Sequence, residues 1–168
     1  MAVDHRRTLR GAVAGGAAAA LWLAQQPLDK RIFGCGHDDA RLLGRLAGGT
    51  PAVGAALHIQ NGFIFGAVYA NVASRIPGPA WLRGPLAGLA EHVVTWPGIA
   101  LVEPSLVGSG RAFAQSAWRH LLFGAVLGEL ERRLNPPDSE LEPVSEAAVR
   151  SNGHGSVEHL VASGPDER

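Results

Sequence analysis

The 168 residues carry equal numbers of basic and acidic side chains, 46% apolar residues, 22 glycines and few aromatics. One domain fits that length and two do not. One cysteine, Cys35, excludes an intrachain disulfide and any cysteine-built metal centre, and the zero net charge is a cancellation of two unlike segments. Thirteen of the fifteen basic residues but only eight of the fifteen acids precede Pro136, a balance of +5 over the segment that holds nearly all the apolar mass. High Ala and Gly with few large hydrophobes suits helices whose backbones approach closely, as in membrane bundles.

A crossing needs about 20 mostly apolar residues. The first candidate, 11–28, contains no charge and follows Arg6, Arg7 and Arg10, which favours a cytoplasmic start. A basic start before an apolar stretch also fits a cleaved signal peptide. The match between this segment and the third, given below, argues against cleavage. The stretch runs to Leu28, and Asp29, Asp38 and Asp39 read as a solvated outer loop. Asp38 is placed to cap a short interfacial helix through Ala40–Leu46.

The second crossing, 53–74, is uncharged apart from the ionisable His58. The third, 84–102, has one acid, Glu91, and the fourth, 112–130, has Arg119. The expected architecture is all-α, a four-transmembrane-helix bundle of two tandem helical hairpins. Both termini are then cytoplasmic, and residues 136–168 form a disordered acidic tail rich in Pro, Ser and Gly.

Arg10-Gly11-x-x-Ala14-Gly15 recurs as Arg83-Gly84-x-x-Ala87-Gly88. His58-x-x-x-Gly62-x-x-x-Gly66 recurs as His120-x-x-x-Gly124-x-x-x-Gly128. The chain therefore reads as two hairpins in parallel repeat. Positions four apart share a helix face, so each span carries a glycine stripe, a glycine zipper for close packing. The stripes also suit pairing between copies of the chain or with another membrane protein.

The same stripes carry the histidines. His58 leads Gly62 and Gly66, His120 leads Gly124 and Gly128, and His92 follows Gly84 and Gly88 in the reversed span. Counted from Val53, Val102 and Ala112, the three lie about 7, 15 and 12 Å below the outer surface at 1.5 Å per residue. His58, Glu91, His92, Arg119 and His120 are thus expected as one buried polar cluster, with Gln60, Asn61 and Gln115 close by. Glu91 is the carboxylate expected to pair with Arg119. Trp22, Trp96 and Trp118 read as interfacial anchors or packing.

Three uses of such a layer stand open: hydrogen bonding between helices, a pathway for protons or a solute, or a cofactor, either a metal held by His58, His92 and His120 or a haem between two facing histidines. No nucleophile–base pair, phosphate loop or HExxH motif points to an enzyme. The basic residues flank the spans, which leaves nucleic acid without support.

Leu57-His58-Ile59, Phe65-Gly66-Ala67-Val68-Tyr69, Pro77, Trp81, Leu86-Ala87-Gly88, His92, Pro97 and Leu101, with His120-Leu121, Glu129 and Arg132-Arg133-Leu134, resemble the YagU-like bacterial inner-membrane proteins. Pro27-x-Asp29 resembles that pattern too. The resemblance spans residues 10–135 and is strongest from His58 to Pro97. It implies a multispan inner-membrane protein of unknown activity, linked to acid or envelope stress, and brings no catalytic residues. The shorter third span and the first outer loop depart from the pattern. Glu91 and Arg119 lie outside it, so their pairing rests on the residues alone.

Overall fold

The computed structural model describes residues 4–136; the tail expected to be disordered lies, from residue 137 on, outside the described residues. Among the described residues there are five α-helices and no strand: α1 (His5–Phe33), α2 (Asp39–Leu46), α3 (Pro51–Val72), α4 (Ala80–Val102) and α5 (Gly110–Leu134). Single turns of 3₁₀ helix follow α3 and α4.

Side chains set the starts. Asp4 accepts from the backbone N–H of Arg6 and Arg7, Asp38 from Arg41, Thr50 from Val53 and Ser109 from Ala112. Each answers a donor that the first turn of a helix leaves free. The first helix outruns the segment read for it, because Pro27 sits inside α1 and the helix continues to Phe33. Gly34, at φ 58°, then closes it in the left-handed conformation that suits glycine.

Glycine contacts fix how the helices meet. A methyl group added at Gly15 would lie 2.0 Å from the Gly62 carbonyl oxygen, and one at Gly66 would lie 2.2 Å from that of Gly11. In the second hairpin the corresponding distances are 2.1 Å from Gly84 to Gly124 and 2.2 Å from Gly88 to the His120 carbonyl. The glycines read as packing residues, Gly62, Gly66, Gly84, Gly88, Gly124 and Gly128, all meet backbone within this chain. The hairpins are alike but not in the expected register. Gly84 faces Gly124 and Gly128 as Gly15, not Gly11, faces Gly62 and Gly66. The second copy has slid by one helical turn.

α1 packs on both α3 and α5, α4 packs on α5, and α2 packs on α3, giving the order α3–α1–α5–α4. The row curves so that its outer members, α3 and α4, flank one cleft. A small core of Ala14, Ala18, Ala19, Trp22, Tyr69, Phe123 and Leu127 fills the centre.

Candidate functional site

One face of α5 carries Gln115, Ser116, Arg119, His120 and Phe123, spaced three and four apart, and all five are buried. Trp22, Gln26 and Asp29 on α1 form the facing stripe, also buried. Arg119 is completely enclosed. Its Nε and Nη2 grip both oxygens of Asp29 at 2.7 Å each, its Nη1 reaches Asp39 Oδ2 at 2.6 Å, and Nη2 also donates to the His37 carbonyl at 3.1 Å. A two-pronged guanidinium–carboxylate contact is the strongest geometry open to an arginine.

Further donors complete the network. Gln115 donates to Asp29 at 2.6 Å and to the Cys35 carbonyl at 3.1 Å, and Gln25 donates to Asp29 at 2.7 Å. His37 Nε2 lies 3.1 Å from the second Asp39 oxygen. Beside it, Lys30 pairs with Asp38 at 2.6 Å. Burial would raise the Asp39 carboxyl, but the hydrogen bond with His37 and the Arg119 guanidinium outweigh it and hold the group below the ordinary 3.8.

The expected Arg119–Glu91 pair is therefore corrected: every nitrogen of the guanidinium is engaged by Asp29, Asp39 and His37. The reading of Asp29 and Asp39 as solvated loop acids is corrected with it, since their exposures are 0% and 8%. A first segment closed at Leu28 leaves Asp29 in a loop, whereas in α1 Trp22, Gln25, Gln26 and Asp29 continue one helical face, which brings Asp29 opposite α5. A proline costs a helix one hydrogen bond without necessarily ending it. Pro27-x-Asp29 was the visible signal.

The histidines do come together. His92 and His120 have ring centroids 5.0 Å apart, and the Trp22 indole lies between His58, at 4.7 Å, and His120, at 4.5 Å. His92 and His120 are buried and His58 half-buried. Ser116 serves both buried rings: its hydroxyl meets His92 Nδ1 at 3.2 Å and its carbonyl accepts from His120 Nδ1 at 2.8 Å. Trp96 and Phe113 pack on His92, and Trp118 is 41% exposed. Among the described residues, the Nε2 atoms of His58 and His92 and the Trp22 Nε1 are buried without a hydrogen-bond partner. Among the described residues, no group of three His, Cys, Asp or Glu side chains is arranged to hold a metal ion. His92 and His120 contact each other and aromatic neighbours, and His58 contacts Trp22.

Glu91 stands apart from Arg119, on the wall of a cavity of about 210 Å³ between α3 and α4. Trp22 and His120 also line it, with His58, Asn61 and Phe65 of α3, Phe123 of α5 and Asp39 and Leu42 of α2. The site is thus in two parts, a buried ionic knot joining α1, α2 and α5 and a half-open cleft beside it. Compared with known proteins, the chain matches no family model, no curated protein sequence and no solved structure.

Proposed function

We propose that this chain is a polytopic protein of the bacterial inner membrane, in which α1, α3, α4 and α5 cross the bilayer and the α3/α4 cleft handles a small solute or protons. One observation carries the membrane part. On α4 the buried residues are Gly84, Gly88 and His92, whereas Val93, Val94 and Leu101 are 64%, 78% and 81% exposed. Polar and small residues inside with branched hydrophobes outside is the reverse of a helix folded against water, and it suits a helix facing lipid. By composition α4 is the one helix, among the described residues, that is long and apolar enough to cross.

Burial supplies the reason to include the other three. Their charges are spent internally or at the ends. Arg119 is neutralised inside, while Arg7–Glu131 lies at one end of the bundle, and Lys30–Asp38 and Arg45–Glu103 lie at the other. Leu21, Phe63, Ile64 and Val68 face outward between those ends. An arginine with its acids already bound inside a helical bundle is a tolerable intramembrane group.

The N-terminal arginines favour a cytoplasmic start, and four crossings return the C-terminus there. Likeness to the YagU-like proteins points toward tolerance of acid or envelope stress, in which moving or sensing a small species is the role for the cleft.

Thiol labelling tests this reading. In intact cells a membrane-impermeant maleimide should label Cys35 from outside. Ser74→Cys in a Cys35→Ser background should label only after the inner membrane is opened. Equal labelling of both in intact cells, or recovery of the protein in the soluble fraction, would contradict it.

A further inference from the structure

The cleft has a mostly apolar head that carries a few polar groups, and an apolar run. Its head is the cavity lined by His58, Asn61, Glu91 and His120. Below it lies an adjoining groove of about 420 Å³ along Val68, Val72, Ile76, Ala87 and Val94. Phe65, Glu91 and Thr95 line both, so the two spaces adjoin along those three side chains. Thr95 is already committed, its hydroxyl donating to the Glu91 carbonyl at 2.8 Å. Among the described residues the Glu91 carboxyl has no hydrogen-bond or ion-pair partner, and Arg119 is held by two other acids.

We infer that this cleft binds a single-chain cationic amphiphile, in its simplest form an alkylammonium, with the cation at Glu91 and the chain along the α3/α4 groove. The inference rests on the membrane-solute reading above and names its ligand class. Charge selects the cation: the carboxyls facing the head space are Glu91 and Asp39, and Asp39 shares one guanidinium with Asp29. An anion would meet the uncompensated carboxylate, and a neutral molecule would leave it unpaired next to hydrocarbon. Trp22, Phe65 and Phe123 supply the aromatic faces that attract an ammonium. Length selects the chain. The groove below Glu91 is walled by aliphatic side chains with Phe65 and Tyr69, which suits an alkyl tail better than a compact polar amine.

Fluorescence quenching tests it. With Trp81→Phe, Trp96→Phe and Trp118→Phe, the sole remaining indole is Trp22, on the cleft wall. The protein is placed in phosphatidylcholine nanodiscs and titrated with three bromoalkyl probes of equal chain length: a trimethylammonium, a sulfate and an alcohol. The ammonium should quench saturably, and the other two only in the linear manner of lipid partitioning. Glu91→Gln should raise the half-saturating ammonium concentration at least about tenfold, the loss expected for one charged contact. Glu91→Asp should keep the preference for the cation. Saturable quenching by all three probes, unchanged in Glu91→Gln, would overturn the cation and leave the cleft as a solute site. If no probe quenches saturably while the Trp22-only protein melts as its parent does, the solute-binding cleft falls with it.

Discussion

Arg119 and Glu91 are opposite charges that the sequence puts within reach of each other, and the fold treats them differently. Arg119 is sealed between α1, α2 and α5 with both oxygens of Asp29, one of Asp39 and a carbonyl on its nitrogens. Glu91 is half-buried on α4 and faces a cleft. The first arrangement leaves little for a ligand to do, because four of the five guanidinium N–H donors are already answered. The second leaves a carboxyl without an ion-pair partner among the described residues. Stability and function are therefore expected to divide between the two regions, and substitutions can separate them.

The largest effect should come from Arg119→Met, which leaves Asp29 and Asp39 buried without their cation. Breaking a buried pair from one side costs about 3–5 kcal/mol, readable by unfolding in mixed detergent micelles. Adding Asp29→Asn should restore part of the loss. Next comes the glycine contact. Gly15→Ala sets a methyl group 2.0 Å from the Gly62 carbonyl oxygen, and forcing the helices apart should cost about 1–3 kcal/mol. Gly98→Ala, with open space around it, should be neutral or stabilising by up to about 1 kcal/mol.

Smaller effects belong to the short helix. Asp38→Ala removes the cap of α2 and the partner of Lys30, and about 1 kcal/mol should go with the cap. Asp39 adds a pH dependence. Its carboxyl is held below 3.8 in the folded protein, so its contribution is fully present above that value and is lost as pH falls toward the folded pKa. Unfolding free energy measured from pH 6 downward should drop more steeply for the parent than for Asp39→Asn. Smallest of all should be Glu91→Gln, whose stability should stay within about 0.5 kcal/mol of the parent, since it removes no contact within the fold.

Much of the fold is legible in spacing. Glycines four apart at Gly62, Gly66, Gly124 and Gly128 admit close backbone contact and little else, and the structure uses each of them within the chain. The three histidines follow from the same stripes. What spacing could not give is the partner of Arg119. That depended on whether α1 survives Pro27, which local chemistry leaves open and packing against α5 decides. The short α2 was readable from Asp38 as a cap. Its inward turn, which buries Asp39, comes from the Gly54–Ala40 contact between α2 and α3, a tertiary fact. The one-turn slip between hairpins lies likewise beyond a motif match, because identical glycine spacing permits either register.

A pair of double-mutant cycles tests the division most directly, one between Arg119 and Asp29 and one between Arg119 and Glu91, both read as unfolding free energy in the same micelles. The expected coupling is about 1–3 kcal/mol for Arg119 with Asp29 and none beyond about 0.3–0.5 kcal/mol for Arg119 with Glu91. A large coupling to Glu91, with little to Asp29, would contradict it.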